Sequence, residues 1–419
     1  MNFAPLSNSS GLPLDGVRVL DMSHVIAGPL ASFYLAQMGA EVIKIESPFG
    51  GDVMRSSKPS KEGEVPDGFI ALNAGKRSIA VDIRQPEGAE LVRKLAATAD
   101  VFIENFRPGV VARYGLGESD IRAVRPDIVY CSISGYGQVG AWASRGAYDH
   151  VIQALTGMMM MSGSSPDDPP QKVGFPVIDV AVGMLGAMSV MGALIQRSRT
   201  SQGQTIDTSL MQASLMLMYP HATSYLTHRV EPQRVGNRGY TGSPTADTYR
   251  CRDGWLATAA NTPAQFRKLT HVLGLQHLCE DEASLDLDAF NAPGGGFVVP
   301  RNLPYLQQCF RDAFAQQSAS EMEEHLNKAG VPAARVRRLG EFLDEATSPQ
   351  ALNFQPSRFT KNGQTVLTPG LGFRNPNLSP STIEGEGAPS HGGDTHALLA
   401  ELGLQPERIA SLFDTGIVK

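Results

Sequence analysis

Val17-Arg18-Val19-Leu20-Asp21-Met22, followed by Ser23-His24-Val25-Ile26-Ala27-Gly28-Pro29, Phe33-Tyr34-Leu35-Ala36-Gln37-Met38 and Glu41-Val42-Ile43-Lys44-Ile45-Glu46, decides the fold. The first block is a short apolar run and reads as a buried strand. The second is a loop whose Pro29 suits the first turn of a helix, and Gly39 ends that helix. The last block is a second strand. Strand, helix, strand in this order is a βαβ unit, with ligand expected beyond the carboxyl ends of the strands. The pattern repeats downstream. A third strand is expected at Ile79-Ala80-Val81-Asp82, a helix over 86–97, a fourth strand at Asp100–Glu104 and a fifth at Asp127–Ser134. The alternation makes this half a doubly wound α/β domain.

Polar and cationic groups cluster at three expected strand mouths: His24; Lys76 and Arg77; and Asn105 with Arg107 or Arg113. Such convergence suits an anionic ligand, and the adjacent Lys76 and Arg77 either fit a phosphate or form an ordinary solvated basic turn. A nicotinamide or flavin dinucleotide is not supported. The loop Ser47-Pro48-Phe49-Gly50-Gly51-Asp52 lacks GxGxxG. Gly135-Tyr136-Gly137-Gln138-Val139-Gly140 spells it, but no helix pattern opens at Gly140.

A single carboxylate, Asp179, stands in the apolar run Phe175-Pro176-Val177-Ile178-Asp179-Val180-Ala181-Val182-Gly183-Met184, which continues to Leu194. Pro176 breaks the chain before it, and the pattern after it reads as a buried or interface helix. Asp179 is therefore expected in the first turn or at the N-cap, where free amides and the helix dipole favour negative charge. Two readings stand: a capping carboxylate, or an ionised carboxylate at a pocket floor able to attack an electrophile.

The chain has 419 residues, 42% hydrophobic and 19% charged, with net charge −6. Two domains are expected at that length, and neither a nucleic-acid surface nor an anionic-membrane surface. Cys131, Cys251, Cys279 and Cys309 form no CxxC pair, which argues against a metal site and suits a reducing cytoplasm. Residues 1–12 read as a loose leader without the features of a signal peptide. From Thr205 one helix is expected to about Tyr225, after which composition shifts. The glycine loop Gly236-Asn237-Arg238-Gly239-Tyr240-Thr241-Gly242-Ser243-Pro244 opens the second region. Asp253-Gly254 marks a hairpin there, and helices are expected at 263–273, 304–315 and 319–328. The division is 1–225 for a large domain, 226–340 for a smaller α/β domain, and 341–419 for a loop-rich return linker and the end of the large domain.

Taken together, Leu14-Asp15-Gly16-Val17 to Asp21, His24 to Pro29, Gly39 to Glu46, Asn73 with Lys76-Arg77-Ser78, Glu104-Asn105-Phe106-Arg107-Pro108-Gly109, Gly135-Tyr136-Gly137 and Asp179 resemble the class III CoA-transferases. That family includes formyl-CoA transferase, carnitine CoA-transferase and α-methylacyl-CoA racemase. The resemblance implies a Rossmann-like large domain with a smaller inserted α/β domain, in an interlocked, ring-like homodimer. It implies coenzyme A as co-substrate, no metal, and acyl-CoA and carboxylic acid substrates. It implies Asp179 as the catalytic aspartate, carrying CoA as an aspartyl thioester. His24, Val25, Ala27, Leu72, Lys76, Arg77, Asn105, Phe106, Arg113 and Tyr148 match positions around CoA. Gly236, Asn237, Arg238, Gly239 and Gly242 match a loop that covers the site.

Departures from the family narrow the reading. Its racemases pair the aspartate with a His where this chain has Tyr148, and a Tyr is a poor base at neutral pH. Transfer is therefore expected over racemisation or mere CoA binding. Formyl-CoA transferase has a Gln at the position of Ile26, so oxalate and formate are not expected substrates. Arg145 and Arg238 either pair a second carboxylate, as in succinate, itaconate or mesaconate, or are ordinary surface arginines.

Overall fold

The computed structural model describes residues 11–57, 64–239, 242–373 and 384–419. Most of the leader at 1–12, and Tyr240 and Thr241 of the glycine loop, lie outside the described residues.

Six strands form one wholly parallel sheet: β1 (Arg18–Met22), β2 (Glu41–Glu46), β3 (Arg77–Ala80), β4 (Val101–Glu104), β5 (Val129–Ser134) and β6 (Thr205–Ser209). Their order is β3-β2-β1-β4-β5-β6, so the topology switches direction between β1 and β4. This is the doubly wound, Rossmann-like arrangement, in which ligands sit beyond the carboxyl edge at the switch. β4 and β5 are buried throughout, as strands covered on both faces must be. The associated helices are α1 (Ala27–Gln37), α2 (Asp67–Asn73), α3 (Pro86–Ala96), α4 (Glu118–Val124), α5 (Asp149–Leu155), α6 (Val177–Thr200), α7 (Leu210–Leu217) and α8 (Tyr219–His228). The segment read as one helix from Thr205 is instead β6 followed by α7 and α8. Thr205, Ile206 and Thr208 are β-branched and fit the sheet, and the Ser209 side chain caps α7 by accepting from the Gln212 amide.

α6 packs along α1 and against β5. Small residues set the distance: a Cβ on Gly183 would fall 2.8 Å from the Ala27 carbonyl oxygen, so only glycine permits this approach. By length and composition α6 could cross a membrane. One side packs inward through Ile178, Val182, Gly186 and Val190, while Met184, Met188 and Ile195 are exposed.

Two compact units emerge. The first comprises 1–159, 172–231 and 355–419, and the second 160–171 and 232–354. The expected boundaries at 226 and 340 thus differ, and the Met- and Ser-rich loop from 160 groups with the second unit. That unit holds the antiparallel strands β7 (Asp247–Arg250), β8 (Trp255–Thr258) and β9 (Ala333–Arg335). Its helices are α9 (Pro263–Leu273), α10 (Leu287–Asn291), α11 (Leu303–Ala315), α12 (Ala319–Ala329) and α13 (Leu339–Ala346). Its core gathers Tyr249, Phe266, Phe310 and Phe314.

The stretch after 345 is not simply a linker. It returns to the first unit as β10 (Ser357–Lys361), β11 (Gln364–Thr368) and β12 (Glu384–Glu386), then α14 (Thr395–Glu401) and α15 (Pro406–Asp414). Asn362 and Gly363, both at positive φ, make the two-residue turn between β10 and β11.

Charge is buried beneath β1 and β2. Lys76 is wholly buried, with Nζ 2.9 Å from Asp21 Oδ2 and donating to Ser32, Asn73 and the Pro29 carbonyl. Arg77 pairs with Glu41 and Glu401 at the amino edge of the sheet. Removing Lys76 would leave Asp21 buried without its cation. Lys76→Ala is expected to cost about 3–5 kcal/mol of stability. Arg77→Ala, which breaks a partly exposed network, should cost about 1 kcal/mol or less. Chemical denaturation of both variants checks the contrast.

Candidate active site

α6 begins after Pro176, so Val177, Ile178 and Asp179 form its first turn. Asp179 does not cap the helix. The cap comes from another element: Asp149, the first residue of α5, accepts from the Ile178 amide at 2.7 Å and the Asp179 amide at 3.0 Å through one carboxylate oxygen. The Asp179 carboxylate accepts no hydrogen bond among the described residues. Burial raises its pKa to about 6, and the Asp149 charge adds to the rise. It is thus a half-buried, ionised carboxylate at neutral pH, without the amide donors that a helix start ordinarily offers.

It lines a cavity of about 540 Å³. The same cavity is lined by His24, Val25 and Ala27 after β1, by Asn105, Phe106 and Arg113 after β4, and by Tyr148 before α5. All lie at or beyond the carboxyl edge of the sheet, where a doubly wound fold binds ligand. The Asn105 side chain ties the two loops together. Its Oδ1 accepts from the His24 amide at 3.0 Å, and its Nδ2 donates to the His24 carbonyl at 2.8 Å. Burial lowers the His24 pKa, so the imidazole is neutral at pH 7; its ring lies 5.0 Å from that of Phe106. α1 starts here with Ala27 and Gly28, no side chain caps it, and Pro29 removes one of its unpaired donors.

Lys76, Arg77 and Leu72 are not at this site. Lys76 immediately precedes β3 and Arg77 is its first residue, so both stand at its amino end, and their charges are satisfied by Asp21, Glu41 and Glu401. Leu72 lies in α2 and lines none of the cavities described here. At the carboxyl end of β3 the structure has Val81, Asp82, Ile83 and Arg84 instead. They line a second cavity of about 300 Å³ with Phe49, Phe106, Val110 and Tyr114. Phe106 and Val110 also line the first cavity, so the two adjoin. The Arg84 guanidinium sits 4.7 Å from the Phe49 ring centroid. Following β3 to its end, rather than reading the cations before it, would have found this group.

Arg107, Arg113 and Arg145 all line the first cavity, and none forms an ion pair among the described residues. Arg145 lies over the Trp142 ring at 4.4 Å. Arg145 was thus in reach of sequence reasoning, whereas Asp149 was not singled out. The glycine loop belongs to the second unit. Gly236 and Gly242 have positive φ, Asn237 and Arg238 are exposed, Arg238 donates to the Val235 carbonyl, and the Gly239 amide donates to the Ala246 carbonyl.

Residues 14–395 match the family described as CoA-transferase family III. The chain belongs to that family. It is 40% identical over 276 residues to the succinate–glutarate CoA-transferase of Agrobacterium fabrum, covering 64% of this chain and 68% of that protein. It is 38% identical over 269 residues to the succinyl-CoA:glutarate CoA-transferase of Mus musculus, covering 64% and 61%. The match therefore spans about two thirds of these relatives' length. A CAIB/BAIF family protein from Brucella suis superimposes with TM-score 0.77 at 32% identity, covering 93% of this chain and 99% of that one.

The raised pKa has a consequence for stability. The folded chain holds a proton on Asp179 up to about pH 6, whereas the unfolded chain releases it near pH 4. Between those values folding is coupled to proton uptake, so stability falls as pH rises through the window, and the loss is complete above it. Asp179→Asn is therefore expected to be more stable than the native chain by about 1–3 kcal/mol at pH 8, with the difference gone near pH 4. Denaturation curves at the two pH values measure this; an equal difference at both would exclude ionisation as its cause.

Proposed function

We propose that this protein moves CoA between carboxylic acids, with dicarboxylates as substrates, and that Asp179 carries the CoA in transit. The observation that carries the reading is the Asp179 carboxylate: half-buried and, among the described residues, without hydrogen bonds, in one cavity with three guanidiniums that have no carboxylate partner there. The succinate and glutarate in the relatives' names support the substrate class.

The chemistry runs as balanced exchanges. Asp179 attacks the thioester carbonyl of the donor acyl-CoA; the C–S bond breaks, leaving a mixed anhydride and CoA thiolate. The thiolate attacks the Asp179 carbonyl, the donor acid leaves as its carboxylate, and an aspartyl-CoA thioester remains. An acceptor carboxylate then repeats the steps in reverse. No proton, electron or phosphate is consumed. The uncapped start of α1 supplies amides for the oxyanion that forms at each step. The second cavity, with Phe49, Phe106 and Arg84, takes the nucleotide end of CoA, and Arg145 holds the distal carboxylate of the acid. The anhydride must be kept from water, and a lid role for the Gly236–Pro244 loop is what the family resemblance implies. A second copy of the chain covers the exposed apolar side chains Met184, Met188, Leu215, Met216 and Leu226, giving the interlocked homodimer. The four unpaired cysteines suit a cytoplasmic setting.

Racemisation would need a base opposite Asp179. Tyr148 holds that position, and His150 does not line the cavity. Incubation with a panel of acyl-CoAs and acids, followed by mass spectrometry, is expected to show new thioesters chiefly of four- to six-carbon dicarboxylates, about the size of the relatives' substrates. Asp179→Ala should abolish exchange, and Arg145→Ala should raise KM for dicarboxylates by about 10–100-fold, the loss of one charged hydrogen-bonded pair. Exchange of an α-proton in D2O without any acceptor acid would instead assign racemase chemistry.

A further inference from the structure

Val25 sits at φ +68°, a left-handed backbone that a β-branched residue rarely adopts. Such strain persists only where the surroundings over-determine it, and it concentrates at working sites. Here the surroundings are two buried charges that the transfer chemistry does not use. Asp52 Oδ1 accepts from the Val25 amide at 3.2 Å and from the Met54 amide at 3.0 Å. Asp52 Oδ2 lies 3.0 Å from Lys44 Nζ, and both side chains are buried. Lys44 Nζ also donates to the Ser23 carbonyl at 2.8 Å, one residue before the turn. The remaining main-chain groups of the turn are held as firmly. Asp21 takes the Ser23 amide, and Asn105 takes both the amide and the carbonyl of His24. Asp52 is itself fixed, its own amide donating to Glu46 Oε1 at 3.0 Å.

The turn held in this way leads directly into α1. Its Ile26 and Ala27 face the cavity that contains Asp179, and no side chain caps the helix they begin. Without a hold on the Val25 amide, the backbone at Val25 would relax to negative φ and turn the start of α1. The buried Lys44–Asp52 pair thus grips this turn from two sides, Lys44 at the Ser23 carbonyl and Asp52 at the Val25 amide. We infer that Asp52 and Lys44 are positioning residues for CoA transfer, acting through the strained Val25 to hold the His24–Ala27 turn against the reacting carbonyl. The inference rests on the function proposed above.

Three variants test it: Asp52→Ala, Asp52→Asn, which keeps an acceptor for Val25, and Val25→Gly, which adopts positive φ without being held. Asp52→Ala is expected to lower kcat by about 10–100-fold, the scale of a misplaced reacting group. KM for acyl-CoA should change by less than about twofold, because bulk binding is untouched. Asp52→Asn should retain more of the rate than Asp52→Ala. In a Val25→Gly background, Asp52→Ala should cost less than about threefold, since contacting residues are not additive. Hydrogen exchange at the 24–28 amides is read in parallel and should accelerate in Asp52→Ala. Unchanged kcat with unchanged exchange would overturn the inference, as would an equal kcat loss in the Val25 and Val25→Gly backgrounds. If Asp52→Ala does not fold, Asp52→Asn in both backgrounds decides by the same criterion. If the native chain transfers no CoA, the proposed function fails. The exchange measurements then decide the clamp alone: equal acceleration in both backgrounds rejects it, and acceleration confined to the Val25 background upholds it.

Discussion

The Asp149 carboxylate taking the Ile178 and Asp179 amides is the interaction on which the site depends. A helix start left to itself offers free N–H groups and a positive dipole, and both would stabilise an acid in the first turn. Asp149 uses those donors for itself and adds a negative charge close by. Asp179 is thereby denied the stabilisation its position in the helix would give, and its pKa rises, chiefly through burial and then through the Asp149 charge. A carboxylate held in this condition keeps its lone pairs available and has little solvation left to lose. The glycine that lets α6 approach α1 serves the same end, since it sets how deep Asp179 sits beside the uncapped start of α1.

Much of this was legible in the sequence because it follows from periodicity. The βαβ start, the strand before each loop, and the apolar run around Asp179 are all patterns of spacing, and spacing survives folding. Helix ends marked by Pro and Gly were equally clear, as at Pro263 and Gly274 around α9. β6 was missed because Thr205–Ser209 is short, half exposed and runs straight into a helix, so the helical period downstream masked it. The β10–β11 hairpin was missed for a different reason: the surrounding Pro and Gly residues resembled a linker, although Asn362-Gly363 is a strong turn signal.

The site residues divide along a line that spacing cannot draw. Lys76 and Arg77 look like phosphate ligands in the sequence, yet each is consumed by carboxylates that arrive from distant positions: Asp21, Glu41 and Glu401. Arg84, which the sequence did not single out, lies at the carboxyl end of β3 beside aromatic rings, its guanidinium held by Asp82 of the same loop. Asp149 stood in plain view next to Tyr148, but its purpose needs α5 and α6 to meet. What decides whether a charged side chain is structural or available is the number of opposite charges within reach, and that number exists only in three dimensions.

The same count explains how a protein of net charge −6 can gather anionic substrates. Overall charge acts over distances that salt largely screens, whereas a cavity with low-dielectric walls feels its own lining. Lys44, Lys76 and Arg55 are neutralised by Asp52, Asp21 and Glu46 beneath the sheet edge. Among the described residues Arg107, Arg113 and Arg145 are not, and they line one cavity with Asp179. The local balance is therefore positive where the global one is negative. A dianionic acid or an acyl-CoA entering this space meets attraction from three guanidiniums and repulsion from one carboxylate. Under the function proposed for Asp179, the guanidiniums would also offset the repulsion between that carboxylate and an incoming acid.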